Sequence, residues 1–528
     1  MCYFCGRNGG NMQISKVHIH NIYSIQDAEF TLSDFNMLVG KNGAGKSNII
    51  NVLRGFLQGG SHCGLRAPGM AFDGSSPTEP LWIEVEFDLT PDEFAALPAE
   101  QQAIPNKLRI RKNVRNTVAA CAEILGEGGI TGVPMDRGTY VCTKTGMVRT
   151  NEKLPFDVVF IEPTNYDKSL VTDGRGNYKM PSGKLPAKIA LSRVRSVIGA
   201  KELRATGVMG QINDLTGSGF GQSWVKQSSG MRRAQQIQCS INARHKPNRL
   251  TVMLCDEPEN SLHPSYLSTV SESLRNFSQQ ENCQVLLSTH SPQLVAENAT
   301  DLTNILRVDK SDGSTRVHQY QNSAQDPIYN LTFLNNLDRA KMFFADRVIL
   351  TEGETESAFF NYMIKNKMFA ATPAAENVAL VNCQGKFYIQ YYSQILTQYG
   401  IPHTALWDLD RGKYPQHNED ILKCFNDYMS VGYCFYENIE AFSGTTKVPN
   451  LPAQINFIQK YADGTIDAQR RTELATLFNN LVRTPDTPEP VVADPNFKTV
   501  QAFQHVPTIT AQPVALGLYK VMCKQKTK

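Results

Sequence analysis

The sequence predicts two α/β domains in tandem, on three observations. Its 528 residues exceed one compact domain, and at about 150 residues each suggest two to four. Short β-branched runs alternate with helically spaced apolar residues from Met12 to about Arg307, the pattern of strands layered with helices. A second strand–helix series runs from Ala345 to about Phe442. The expected organisation is a flexible leader at 1–11, a first domain at 12–335 carrying an inserted segment at about 165–221, and a second domain at 336–528.

Composition narrows the class. The chain is 41% hydrophobic and 20% charged, an ordinary soluble balance. Lys+Arg 53 against Asp+Glu 50 gives +3, so a nucleic-acid surface has to be a local patch. No apolar run approaches the ~18–20 residues that span a bilayer, and the N-terminus has no apolar signal core. Twelve cysteines scattered singly argue for reduced thiols and a cytoplasmic location. Cys2 and Cys5 have no second pair nearby to complete four zinc ligands, and read as part of the leader.

Along the first domain, the alternation of Ile14–Ile19 predicts an initial strand. Phe35–Val39 is an apolar strand, followed directly by Gly40, Asn42, Gly43, Gly45, Lys46 and Ser47 in a GxxxxGKS pattern, then by helical periodicity over Asn48–Leu53. Strand, loop and helix in that order predict a nucleotide-phosphate site. The glycines let backbone N–H groups wrap phosphates at a helix N-terminus; Lys46 is placed for the β/γ-phosphates and Ser47 for Mg²⁺. Leu250–Cys255 reads as a buried strand ending at Asp256 and Glu257, an acid for the Mg²⁺ shell beside one that polarises the attacking water. Val285–Ser288 ends at Thr289 and His290, a histidine for the γ-phosphate side. Ser229 and Gly230 open a helical pattern and offer a hydroxyl and free N–H groups to an anion. The 165–221 insertion is polar and Gly-rich, with a helical stretch around Lys188–Leu203. Two basic stripes, Lys107/Arg109/Arg111/Lys112 and Arg193/Arg195/Lys201/Arg204, are candidates for neutralising DNA phosphates.

In the second domain, strands are expected at Arg347–Leu350, Val378–Val381, His403–Trp407 and Tyr433–Tyr436. Glu352 follows the first with Gly353 making the turn, and Glu356 lies one helical turn on. The second ends in the tight turn Asn382–Lys386, the third in Asp408 and Asp410, and the fourth runs into Glu437 and Glu440. Alternation puts both aspartates on one side. Acids gathered at one sheet edge repel unless a cation sits among them; hard oxygen ligands favour Mg²⁺ or Mn²⁺, and paired divalent ions serve phosphodiester cleavage. A Pro-rich segment at 484–490 precedes a tail with Lys520, Lys524, Lys526 and Lys528, expected to be partly disordered because it offers little to bury.

The nucleotide-site residues resemble those of ABC-type ATPases of the SMC/RecF-like branch. The resemblance implies ATP as cofactor, Glu257 as catalytic base, His290 as switch, and Ser229 with Gly230 closing on the ATP of a second copy. The interval from Ser47 to Ser229 leaves no room for an extended coiled coil, a departure from the long-armed members. Glu-Gly after one strand and Asp-x-Asp after another resemble the Toprim fold, and the order ATPase then Toprim is similar to the OLD (overcoming lysogenization defect) family. That resemblance implies an ATP-regulated, metal-dependent DNA endonuclease of bacterial anti-phage defence, as in Gabija-type and retron-associated effectors. Glu352, Glu356, Asp408, Asp410 and Glu440 are the implied metal ligands, with Glu437 second choice to Glu440, and Glu352, Asp408 and Asp410 the implied catalytic acids. A C-terminal lysine of the family corresponds to Lys460 or is replaced by Arg470–Arg471. The implied partners are DNA, further copies in a homodimer or tetramer, and a second defence protein, helicase-like or a retron reverse transcriptase with its DNA/RNA. The rival expectation is a non-nucleolytic regulatory or DNA-repair ATPase that scaffolds or senses for such an effector. Whether ATP drives or restrains cutting stays open.

Overall fold

The computed structural model describes residues 12–58, 71–72, 75, 79–114, 138–150, 156–161, 171–172, 178–179, 237, 250–260, 262, 264–299, 301–310, 313–321, 337–370, 377–445, 452–482, 489 and 491–524. The chain divides into two units: Met1–Gln319 with Ala324–Asn335, and Tyr320–Ser323 with Asn336–Lys528.

The first unit holds two six-stranded sheets. One is antiparallel, in the order β2-β1-β4-β5-β6-β7, from β1 (Gln13–Ile22), β2 (Ile25–Thr31), β4 (Trp82–Asp88), β5 (Lys107–Asn113), β6 (Gly138–Thr143) and β7 (Gly146–Thr150). The other, β14-β13-β3-β12-β11-β8, uses β3 (Phe35–Val39), β8 (Phe156–Ile161), β11 (Leu250–Asp256), β12 (Cys283–Thr289), β13 (Ile305–Asp309) and β14 (Arg316–Gln319). It is parallel except for β14. Every residue of β3, β11 and β12 is buried, so these strands are mostly apolar along their length rather than alternating. The helix α1 (Lys46–Gln58) turns Ile49, Ile50, Leu53 and Phe56 into one core with Val17 and Ile19 of β1 and Leu254 and Leu286 of the parallel sheet. Each such buried side chain contributes about 1.5–3 kcal/mol. Gln284 of β12 ties the layers together, donating to Ile14 O (2.8 Å) and Ser33 O (2.8 Å) while accepting from Ile14 N (3.0 Å).

The basic stripe on β5 is not a free phosphate surface. In register with it, β4 sets Glu86 opposite Arg109 and Glu84 opposite Arg111. Glu86 pairs with both Lys107 and Arg109, Glu84 pairs with Arg111, and the Arg111 guanidinium lies 4.0 Å from the Trp82 ring centroid. With Asp88 3.6 Å from Lys107 as the third acid, cross-strand pairing engages three of the four cations. Arg193, Arg195, Lys201 and Arg204 lie outside the described residues, as does Lys188–Leu203. Within the expected insertion the described part is a short antiparallel ribbon, β9 (Val171–Thr172) with β10 (Tyr178–Lys179).

The second unit is one sheet, β16-β15-β17-β18-β20-β19, from β15 (Arg347–Thr351), β16 (Val378–Asn382), β17 (His403–Asp408), β18 (Val431–Phe435), β19 (Ile509–Ala515) and β20 (Leu518–Cys523). The first four are parallel, and β20 then pairs antiparallel with β18 and with β19. The helices α2 (Glu354–Lys365), α3 (Lys386–Gln398) and α4 (Pro415–Lys423) follow β15, β16 and β17. Later helices α5 (Ala453–Ala462) and α6 (Ala468–Val482) bring Phe457, Leu474 and Phe478 onto Phe359 and Phe360 of α2 and Phe435 of β18. The expectation of a partly disordered tail is corrected over 509–523. Lys520 sits in β20, 3% exposed, with its ammonium on Glu489 Oε1 (2.9 Å), which also accepts from the Tyr433 hydroxyl (2.6 Å). A partly exposed acid at 489 gives that buried lysine the partner it needs. No helix among the described residues is long and apolar enough to cross a membrane.

Candidate functional site

The first unit gathers its predicted residues at the C-terminal ends of β3, β11 and β12. Gly40 has φ +144°, and a Cβ there would lie 2.2 Å from Val308 O on the neighbouring β13; at Gly45 (φ +108°) it would lie 2.1 Å from Thr315 Oγ1. Both positions therefore require glycine. Asn42 and Gly43 form the exposed tip of the loop. Lys46, 4% exposed, donates from Nζ to Gly40 O (2.7 Å) and Lys41 O (2.8 Å), folding back into the loop that it would share with phosphate. Burial pulls its ammonium below the ordinary lysine range, against the opposing influence of Glu257, Glu259 and Asp256. Ser47 Oγ donates to Asp256 Oδ1 (3.1 Å), and Ser288 Oγ of β12 donates to the same oxygen. Burial pushes the Asp256 carboxyl up despite these donors.

Glu257 occupies a left-handed conformation (φ +46°), its N–H held by Ser288 O (3.0 Å) and its Oε2 by Asn260 Nδ2 (2.8 Å). His290 Nδ1 lies 3.5 Å from Glu257 Oε1 and 3.4 Å from Glu259 Oε1. Glu259 is a residue that motif reading missed. Its Oε1 accepts from Thr289 Oγ1 (2.6 Å) and His290 N (2.9 Å), anchoring the histidine's backbone, and burial raises its carboxyl. The available signal was a third acid in 256–259. Ser229 and Gly230 lie outside the described residues.

The second unit brings its acids to one edge. Glu352, just past β15, accepts from Asp408 N at Oε2 (3.0 Å), while its own N–H donates to Leu406 O (3.1 Å). Gly353 caps α2 and puts Glu356 in its first turn, 4% exposed. Thr355 Oγ1 donates to Glu440 Oε1 (2.9 Å). Burial, then the Glu440 and Glu352 charges, push the Glu356 carboxyl up to about 7. Asp408 is pushed well above the carboxylate range by burial and by Glu356, Glu352, Asp410 and Glu440, and its Oδ1 is buried without a hydrogen-bond partner among the described residues. Burial likewise raises Glu352. Glu440 therefore faces the group, whereas Glu437 turns to Arg411 (2.6 Å).

Asp410 enters through three successive residues with positive φ, Asp410 (+51°), Arg411 (+56°) and Gly412 (+79°), a strained turn of the kind found at functional sites. Its Oδ2 accepts from Lys386 Nζ. Lys386, 5% exposed, opens α3 directly after Gly385 (φ +134°) and is the lysine this acid group contains. Sequence reading noted the turn but not the role; a lysine directly after a strand-end glycine was the signal. Of the residues considered for that place, Arg470 is engaged by Glu473, by Leu516 O and by the Phe442 ring, Arg471 lies beside Tyr461, and Lys460 lies on α5.

Residues 12–131 match the AAA ATPase domain family, residues 148–296 the AAA domain family of the putative AbiEii toxin, Type IV TA system, and residues 343–410 the overcoming lysogenization defect protein-like TOPRIM domain. The last span contains Glu352, Glu356, Lys386, Asp408 and Asp410. Among curated relatives, the Old nuclease of Escherichia phage P2 is 27% identical over 207 residues (38% of this chain, 34% of the relative). The OLD nuclease of Thermus scotoductus is 27% identical over 176 residues (32% of each). Endonuclease GajA of Bacillus cereus is 29% identical over 196 residues (36% and 32%). The matches span about a third of the length of these relatives. Among solved structures, the SMC head domain from Thermotoga maritima aligns with a TM-score of 0.34 at 13% identity, covering 59% of this chain and 100% of that one.

Proposed function

The chain joins an AAA-type ATPase domain to an OLD-like TOPRIM domain, and from that premise we propose that it is an ATP-regulated, metal-dependent DNA endonuclease of bacterial anti-phage defence. The observation that carries the reading is Asp408 Oδ1, buried without a hydrogen-bond partner among Glu352, Glu356, Asp410 and Glu440. Carboxylates crowded in this way call for a cation. Among the described residues no three His, Cys, Asp or Glu side chains form a ready-made cage. Hard carboxylate oxygens suit Mg²⁺, which keeps coordination positions for water and substrate phosphate. Glu352, Glu356, Asp408, Asp410 and Glu440 are the residues that would hold it. Held there, such an ion would supply Lewis-acid chemistry for phosphodiester hydrolysis.

The chain's own groups do the rest. Glu352 fixes the backbone of Asp408, Thr355 orients Glu440, and Lys386 holds Asp410 while adding a fixed positive charge suited to a phosphate oxygen. Burial, with Glu440 and Glu352 beside it, favours the protonated form of Glu356, and a bound cation would favour the ionised one. In the first unit Lys46 would bind phosphate, Ser47 and Asp256 would hold Mg²⁺, and Glu257 would orient water with His290 beside it. Pairing of two copies around the nucleotide, in a homodimer or a tetramer, is part of this reading.

The test is incubation of supercoiled plasmid with Mg²⁺ or Mn²⁺, with and without ATP. Nicked or linear product is expected from the wild type and none from Glu352→Ala, with ATP binding intact. Cutting that persists in Glu352→Ala, or no cutting by the wild type under any of these conditions, overturns the reading in favour of a non-nucleolytic regulatory ATPase.

A further inference from the structure

Next to the acids of the second unit lies a group of rings that no catalytic step uses. Phe387, 37% exposed, follows Lys386 at the start of α3; Tyr414, 46% exposed, immediately precedes α4, and His417 lies in the first turn of that helix. The Phe387 and His417 ring centroids are 5.6 Å apart, edge to face, and those of His417 and Tyr414 are 6.0 Å apart with planes 19° from parallel. Two ammonium groups border the Tyr414 ring, Lys413 Nζ at 5.4 Å and Lys386 Nζ at 5.8 Å from its centroid. That same Lys386 Nζ bonds Asp410 Oδ2. One lysine therefore joins the rings to the carboxylates, and the strained turn at 410–412 delivers Asp410 and Tyr414 from a single loop.

Exposed rings interleaved with cations make up the surface on which single-stranded nucleic acid stacks. Bases inside a duplex cover each other's faces, whereas an unpaired base has a face to give. We propose that the Tyr414–His417–Phe387 shelf stacks an unpaired base of the DNA strand entering the acid site, with Lys413 on its phosphate, so that single-stranded or frayed DNA is selected over intact duplex. The proposal rests on the nuclease reading for its substrate and adds the strand state to it.

The full chain is tested in EDTA, where no cutting occurs, by fluorescence anisotropy with a labelled oligothymidine and a duplex of equal length. Tyr414→Ala is expected to weaken oligothymidine binding about tenfold, the effect of one stacked base, with duplex affinity unchanged within about twofold. Tyr414→Phe, which keeps the ring, is expected to bind as the wild type does. Equal losses on both DNAs, no loss on either, Tyr414→Phe as weak as Tyr414→Ala, or a wild type that prefers duplex overturns the proposal. So does a change of assembly state of Tyr414→Ala in sedimentation, which assigns the rings to a contact between copies. The two readings fail separately. A wild type that holds oligothymidine through Tyr414 yet never cuts with Mg²⁺ sinks the nuclease reading alone, while cutting with unchanged Tyr414→Ala affinity sinks the shelf alone.

Discussion

Glu356 is enclosed with Glu440 and Glu352 charged beside it, and its carboxyl rises from the ordinary 4.5 to about 7. The folded protein thus binds this proton more tightly than the unfolded chain does. The resulting penalty is absent below pH 4.5, grows as the pH rises, and is complete above pH 7. At 1.36 kcal/mol for each pH unit between those values, ionised Glu356 costs the metal-free fold on the order of 3 kcal/mol at pH 8. Glutamine keeps the volume and an acceptor oxygen but carries no charge. Glu356→Gln is therefore expected to raise the melting temperature of the second unit in EDTA at pH 8 by roughly 6–12 °C, taking about 2–4 °C per kcal/mol for a unit of this size. The gain should fade to nothing near pH 4.5. Millimolar Mg²⁺ should then stabilise the wild type more than the variant, because a ligand stabilises the form that binds it. Differential scanning fluorimetry across pH, with EDTA and with Mg²⁺, reads all of this. An equal gain at pH 4.5 and pH 8, or destabilisation at pH 8, refutes the electrostatic account.

Three further outcomes are expected. Lys386→Met takes the positive charge from the acid group and should slow plasmid nicking by about 100-fold or more while a Mg²⁺-induced thermal shift remains; nicking at the wild-type rate would exclude a role for the lysine. Gly40→Ala drives a Cβ to 2.2 Å from a backbone oxygen at φ +144°. It should cost about 1–3 kcal/mol in urea denaturation and abolish binding of a fluorescent ATP analogue. Lys520→Met leaves Glu489 without its buried ammonium and should cost about 3–5 kcal/mol in the same assay; a loss below 1 kcal/mol would mean that the ion pair does not pin the tail.

The parts of the molecule carried by local pattern were legible in the sequence. Mostly apolar runs at Phe35–Val39 and Leu250–Cys255, each closing on a glycine loop or an acid pair, marked buried parallel strands and what stands at their ends. What stayed hidden depends on partners far along the chain. Alternation on Lys107–Lys112 gives the face on which the charges sit, but only the register with β4 reveals Glu84 and Glu86 opposite them. Lys386 acquires meaning from Asp410, which a separate strand delivers. Lys520 reads as tail until β20 sets it on Glu489. The choice of Glu440 over Glu437 turns on their partners, Thr355 for the one and Arg411 for the other, and spacing by itself left both in play.

The antiparallel hairpin at 509–523 covers the outer edge of β18. During synthesis β18 emerges well before its neighbour, leaving a bare strand edge that invites pairing with other chains. Pairing across so long a stretch of polypeptide is slow to form. The nascent second unit is therefore expected to wait, unfinished and prone to stick, until its final strands appear. Ribosome-stalled chains lacking 509–523 should be readily digested by protease and chains containing them resistant, so that the second unit is completed late and in one step.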